Sequence, residues 1–124
     1  MKIAVASKGE GLKAKIDDRF GRADYFVIVD LKDMSERTIE NTAKNESTGA
    51  GGRAVRALAN EGVEVIVAPE LGPKAITAVK AFEMKVYKRV GFEVVEDAVK
   101  GYQEGRLEEM KIATVEEHSG LRRA

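Results

Sequence analysis

The hydrophobic pattern of this chain changes repeatedly between the spacing of strands and that of helices. Five segments have the apolar or alternating pattern of β-strands: 2–6, 25–31, 37–42, 63–68 and 85–88. Segment 63–68 is apolar enough to be buried on both faces of a sheet. A polar turn at 32–35 predicts that the third strand pairs antiparallel with the second.

Three further segments place their apolar residues at helical spacing: 53–60, 73–82 and 92–103. Gly62 and Gly105 follow the first and the third, where glycine commonly ends a helix. Pro73 begins the second, at a position where a helix tolerates proline. Residues 43–52 are polar and glycine-rich, so they predict a loop before the first helix.

The order of these elements, βββαβαβα, predicts the fold class. The later strands and helices alternate, which requires parallel strands with right-handed crossovers, and the early hairpin adds an antiparallel edge. We predict a three-layer α/β/α domain around a mixed five-stranded sheet over residues 1–110. Residues 111–124 are expected to form a flexible tail, and polar sequence typical of a loose tail begins already at Glu108.

Composition bears on the cellular location of such a domain. The chain has 124 residues, of which 44% are apolar and 34% charged, and it has no cysteine. No apolar run approaches the ~20 residues that span a bilayer. A strand directly after Met1 is unlike a signal peptide. We therefore expect a cytoplasmic protein. The charge-rich composition is typical of proteins from thermophiles, although an ordinary charged surface explains it equally.

The charge balance bears on possible partners. The 21 basic and 21 acidic residues cancel at neutral pH. Neutrality argues against broad, salt-driven binding of nucleic acid, and the pair Arg122-Arg123 is too small a basic cluster to change this. We expect neither nucleic acid nor a membrane as a partner.

Glycine-rich loops are the first candidates for chemistry. Ligands of open parallel sheets bind beyond the carboxyl ends of the strands, and three loops fall there: 7–11, 47–53 and 69–74. The last two lead into helix N-termini, whose N–H groups and partial positive charge attract anions. Neither the P-loop nor the dinucleotide fingerprint is present, and a plain flexible loop is the alternative.

A charged loop precedes the second strand in the stretch DDRFGRADYFVIVD. Arg19 and Arg22 flank Phe-Gly and are suited to donate charge-assisted hydrogen bonds to an anion. Alternatively, they form local surface pairs with Asp17 and Asp18, while Phe20 caps the core.

Several segments together resemble the dinitrogenase iron-molybdenum cofactor biosynthesis family: KIAVAS, DDRFGRADYFVIVD, GAGGRAVRALANEGVEVIVAPELGPKAITAV and VEDAVKGYQEGRLEEM. The likeness runs from residue 1 to about 110 and is greatest to short stand-alone members from archaea and thermophilic bacteria. It implies a ribonuclease H-like fold. It also implies a carrier, not an enzyme, that binds the iron–molybdenum cofactor or an iron–sulfur precursor. Such a carrier would pass its cargo to a nitrogenase-type or other metalloprotein assembly partner.

The loops and the resemblance together give a set of candidate cofactor-binding residues: Ser7, Arg19, Phe20, Gly21, Arg22, Gly49, Gly51, Gly52, Arg53, Gly72 and Pro73. Clusters are normally ligated by cysteine or histidine, and His118 is the one imidazole in the chain. It stands in the tail, where a solvated side chain is the alternative. We therefore expect backbone N–H groups and arginines to hold an anionic cluster.

Three other functions stay open at this point. The same loops suit a small anion- or nucleotide-binding module with a regulatory role. A metal-dependent nuclease would need converging carboxylates, for which the candidates are Asp17, Asp18, Asp24 and Glu70. A self-associating scaffold would use the edge of the third strand.

Overall fold

One mixed sheet organises the molecule. The computed structural model describes residues 1–46 and 48–111. Its elements in chain order are β1 (Lys2–Ser7), a 3₁₀ helix (Phe20–Arg22), β2 (Tyr25–Asp30), β3 (Ser35–Glu40), α1 (Ala50–Asn60), β4 (Val63–Ala68), α2 (Pro73–Ala81), β5 (Lys85–Lys88) and α3 (Val95–Gln103). The strand order is β3-β2-β1-β4-β5. The β1–β2 and β2–β3 pairs are antiparallel, and the β1–β4 and β4–β5 pairs are parallel. The predicted mixed five-stranded sheet with an antiparallel edge hairpin is confirmed.

The sheet separates two apolar cores, so the domain has three layers. Alternate residues along each strand point to opposite faces. Phe26, Ile28 and Ile66 join the residues of α1 and α2 on one face. Val27 and Val29 join the residues of α3 on the other. The predicted α/β/α layering is confirmed, and it places α1 and α2 side by side.

Several predicted boundaries were wrong. The β3 strand spans Ser35–Glu40 rather than 37–42, because the turn closes at Met34, whose amide donates to the carbonyl of Asp30 at 2.7 Å. The α3 helix begins at Val95 rather than 92, since Val94 is extended and forms a β-bridge with Lys15.

The start of α1 differs most from its prediction. The helix begins at Ala50, so the predicted loop over 43–52 was wrong for its last three residues. Glycine is a poor helix former, and packing overrides that tendency here. A Cβ atom at Gly51 would stand 3.2 Å from the Cβ of Ala75 in α2. The first turn of α1 therefore lies directly against α2.

The loose segment expected from Glu108 was wrong for its first residues. The carbonyl of Glu108 accepts from the amide of Lys88, and the amide of Met110 donates to Val86, both at 2.8 Å. Met110 is buried in the core, so residues 108–110 cover the outer edge of β5. The expected tail from residue 112 onward, including His118 and Arg122-Arg123, lies outside the described residues. Within the described part of the chain, no helix combines the length and apolarity needed to span a bilayer.

Candidate functional site

A cleft of about 320 Å³ opens where the 3₁₀ helix meets the N-termini of α1 and α2. Its volume lies at the lower end of the range for small-molecule sites. The residues that line it are Asp18, Arg19, Phe20, Gly21, Arg22, Gly49, Ala50, Gly51, Gly52, Glu70, Leu71, Gly72, Lys74 and Ala75. The cleft lies beyond the carboxyl end of β4, as expected for a sheet of this type.

Two helix N-termini supply the floor of the cleft. Gly49 precedes α1 with φ +72°, a left-handed conformation that glycine adopts without strain. Gly72 precedes α2, whose first residue is Pro73. As far as the described residues show, neither helix has a side-chain cap or an acidic residue in its first turn. The positive ends of both helix dipoles therefore meet the cleft without a carboxylate from those first turns, which favours an anionic ligand.

Phe20 anchors one wall of the cleft in the core. The residue is 3% exposed, and its ring centroid lies 5.2 Å from that of Phe26 in β2. Only a small part of Phe20 is therefore available to a ligand. Of the two interpretations open from sequence, the geometry favours a Phe20 that caps the core and holds the flanking arginines at the surface.

Arg19 carries the exposed charge of that wall. Its side chain is 67% exposed, while the carboxylate of Asp17 beneath it is almost completely buried. The Asp17 oxygens accept from the Arg19 amide at 2.9 Å and from its Nε at 3.3 Å. The hydrogen bond and charge of Asp17 raise the pKa of Arg19 above its ordinary value. Asp17 thus orients a permanent positive charge beside the cleft.

Arg22 lines the cleft but is bonded to the protein. Its Nη1 donates to the carbonyl oxygen of Lys44 at 2.6 Å and also to that of Glu46. Lys44 in turn pairs with Asp24, its Nζ 2.9 Å from Oδ1. The hydrogen bond from Lys44 lowers the pKa of Asp24. Arg22 thus ties the 3₁₀ helix to the segment that leads into α1.

Acidic side chains lie at the rim of the same cleft. Asp18 Oδ1 is 2.7 Å from Nη2 of Arg89, which also donates from Nη1 to the carbonyl of Phe92 at 3.1 Å. Glu70 also lines the cleft and is exposed. Among the lining side chains, Arg19, Arg22 and Lys74 outnumber the two carboxylates. The lining therefore carries a small positive excess in a chain of zero net charge.

Most of the candidate residues from the sequence come together here. Ser7, Arg53 and Pro73 do not line the cleft. Ser7 is fully buried and donates from Oγ to the carbonyl of Gly9 at 2.7 Å. Arg53 is exposed, with Nε 3.7 Å from Oε1 of Glu46. Pro73 begins α2 between two lining residues, so its role is to start the helix.

The sequence set omitted some residues that shape the site. Lys74 and Ala75 follow Pro73 directly, and their position in the first turn of α2 was a usable signal. Asn41, which donates to the carbonyl oxygen of Gly21, and Arg89, which pairs with Asp18, also support the cleft wall. They lie 19 and 67 residues beyond Arg22 in the chain, and no local pattern in the sequence marks them.

The four carboxylates considered for a nuclease do not form a metal site. Asp17, Asp18 and Asp24 pair with Arg19, Arg89 and Lys44. Across residues 1–46 and 48–111, no three His, Cys, Asp or Glu side chains come together as a possible set of metal ligands. The residues that meet at the cleft are instead suited to contact an anion from outside.

A family model for dinitrogenase iron-molybdenum cofactor proteins matches residues 1–105. The chain belongs to this family. An uncharacterised protein of Methanocaldococcus jannaschii is 32% identical over 100 residues, which cover 78% of this chain and 84% of the relative. The resemblance seen in the sequence is therefore confirmed.

Two solved structures of similar sequence share the fold. The apo form of the orange protein from Desulfovibrio gigas is 34% identical, with a TM-score of 0.88, and the match covers 92% of this chain and 96% of that one. A candidate NifB protein of the DUF35 family from Thermotoga is 35% identical, with a TM-score of 0.80 and coverage of 92% and 97%.

Proposed function

We propose that this protein is a non-catalytic carrier or accessory that holds an anionic metal cluster in the cleft. The cargo would be the iron–molybdenum cofactor or an iron–sulfur precursor, in keeping with the family to which the chain belongs. One observation carries the proposal: two glycine-flanked helix N-termini and exposed Arg19 converge on a single cleft. Such a site binds a preformed anion without forming a bond to its metal.

The chemistry of the lining fits cargo that must be released. The chain has no cysteine, and the lining has no imidazole. Hydrogen bonds from N–H groups and arginine would therefore hold the cluster. Such bonds break without ligand exchange at the metal, so a receiving metalloprotein could take the cluster intact. We propose that a nitrogenase-type or other metalloprotein assembly partner receives the cluster. We also propose that the fold is ribonuclease H-like.

A nucleotide fits the cleft less well. Bases in protein sites commonly stack on aromatic rings, and Phe20, the aromatic residue of the lining, is buried against Phe26. The phosphate of a nucleotide would find suitable donors, but its base would not find a ring. The regulatory nucleotide module is thus the second candidate.

Anaerobic gel filtration with extracted iron–molybdenum cofactor tests the proposal. We expect molybdenum and iron to co-elute with the protein in stoichiometric amount, and Arg19→Ala to reduce the bound metal. Arg53→Ala, which removes an exposed arginine outside the cleft, is the matched control and should bind as the native protein does. No co-elution with native protein would contradict the carrier role, and stabilisation by a nucleotide would then favour the second candidate.

A further inference from the structure

Asn41 is a buried side chain whose hydrogen-bonding capacity is used at the wall of the cleft. It is 4% exposed. Its Nδ2 donates to the carbonyl oxygens of Gly21 at 3.0 Å and Ala23 at 2.9 Å, and its Oδ1 accepts from the amide of Ala43 at 3.1 Å. A side-chain amide has two N–H donors. Both are committed to the two carbonyls, so Asn41 acts on the cleft through the backbone of the 3₁₀ helix.

The bonds between these two segments run in both directions. Asn41 donates to the 3₁₀ helix, and Arg22 of that helix donates back to the carbonyls of Lys44 and Glu46. The donor and acceptor residues are 18 to 24 positions apart in the chain. A backbone hydrogen bond from the amide of Asn41 to the carbonyl oxygen of Asp24, at 3.0 Å, also joins these two segments next to the last β2–β3 pair.

The same contacts reach the first turn of α1. Gly21, whose carbonyl Asn41 holds, is packed so closely on α1 that a Cβ atom there would lie 2.8 Å from the amide nitrogen of Gly51. The segment held by Arg22 precedes Gly49 and α1 in the chain. A change in these bonds would therefore alter the distance between the 3₁₀ helix and the N–H groups at the start of α1.

We propose that Asn41 and Arg22 are positioning residues that act together as a clamp and set the width of the cleft. Arg22 then contributes through the carbonyls of Lys44 and Glu46 and not as a donor to the ligand. The proposal rests on the proposed function in assigning the cleft to an anion. It also makes a separate claim about the ligand-free protein, which is tested without cargo.

Amide hydrogen exchange in the ligand-free protein is the first test. We expect Asn41→Ala to speed exchange about tenfold at Arg22 and Ala23, whose amides donate to the carbonyls of Arg19 and Phe20, because lost hydrogen bonds lower the cost of local opening. The exchange rates of amides in β1 and β4 should change only as far as the change in global stability requires. Asn45→Ala, an exposed asparagine in the same segment, is the control. A uniform rise at all amides would show a general structural role and overturn the clamp.

Binding of extracted iron–molybdenum cofactor is the second test. We expect Asn41→Ala and Arg22→Ala each to weaken binding about tenfold, and the double variant to bind no more weakly than either single one, since both break the same clamp. Additive losses would mean that Arg22 contacts the cargo, which would overturn its assigned role. If native protein binds no cofactor, the carrier proposal fails, and hydrogen exchange alone then decides whether the clamp exists.

Discussion

Gly21 and Gly51 lie in backbone contact: a Cβ atom at Gly21 would stand 2.8 Å from the amide nitrogen of Gly51 and 3.0 Å from its Cα. The contact joins the 3₁₀ helix to the first turn of α1, so the wall and the floor of the cleft meet at two glycines. The glycine of the Arg-Phe-Gly-Arg segment is thus required for packing, independently of any ligand.

Gly21→Ala should destabilise the protein by about 1–3 kcal/mol, because the added methyl group meets backbone that cannot turn aside. The unfolding free energy from urea titration is the measurement. Gly91→Ala is the matched control, since a Cβ atom there would have no neighbour within 4 Å. Equal stability of the two variants would contradict the close contact.

Arg19→Ala should lower the melting temperature more than Arg53→Ala does. The carboxylate of Asp17 is buried and loses its charged partner in the first variant, and a buried charge without a partner is costly. In the second variant only an exposed pair with Glu46 is lost, which is worth little. Thermal unfolding of both variants and of Arg19→Lys, which keeps the charge, decides the point. Equal melting temperatures for the two alanine variants would count against a structural role for the Asp17–Arg19 pair.

The Asp24–Lys44 pair predicts a stability change in acid. The hydrogen bond from Lys44 lowers the pKa of Asp24 in the folded protein below its ordinary value of 3.8. The unfolded chain therefore takes up the proton first as the pH falls. The stabilisation from this pair is complete above the unfolded-state pKa and is lost as the pH drops through the folded-state pKa.

Urea unfolding between pH 7 and pH 3 measures this effect. Native protein should be more stable than Asp24→Asn at pH 7, and the difference should shrink below about pH 4. Lys44→Met should lose the same part of the unfolding free energy, because it removes the partner of Asp24. A difference that stays constant over the whole range would show that the pair does not lower the pKa of Asp24.

Val90 is a strained position next to the residue that holds Asp18. It has φ +58° and is 63% exposed, and a left-handed conformation is costly for a β-branched residue. Val90→Gly should therefore raise the unfolding free energy by about 1 kcal/mol or less, since glycine loses chain entropy in exchange. Val90→Thr keeps the β-branch and should leave stability unchanged. A less stable Val90→Gly protein would mean that contacts of the valine side chain outweigh the strain.

The spacing of apolar residues predicted the strands and the helices, because an element that packs in the core has apolar residues at the spacing of its buried face. The apolar run at β4 follows from burial of both faces of that strand, and the helical spacing in α2 follows from one buried face. The start of α1 was not predictable in this way. Gly51 and Gly52 disfavour a helix locally, and the contact of Gly51 with Ala75 of α2 appears only once both helices are placed.

The site was partly predictable for a related reason. Loops at the carboxyl ends of parallel strands must meet, so Gly49 and Gly72 were expected near one another. The partner of Arg19, Asp17, was one of the alternatives considered from sequence, but the partners of Arg22 and Arg89 were not. Arg22 bonds to carbonyl oxygens, which no side-chain pattern marks. Arg89, which directly follows β5 at the edge of the sheet, reaches Asp18. Such long-range contacts depend on the folded geometry and leave no periodic signal in the chain.

Titration of ¹⁵N-labelled protein with extracted iron–molybdenum cofactor, followed through the glycine amide signals under anaerobic conditions, tests the central claim most directly. A cluster held in the cleft should shift or broaden the signals of Gly51, Gly52 and Gly72 at stoichiometric cofactor, and leave those of Gly62 and Gly105, which lie at the opposite end of the sheet, unchanged. Unchanged signals at all five glycines, or changes confined to Gly62 and Gly105, would contradict binding of an anionic cluster in this cleft.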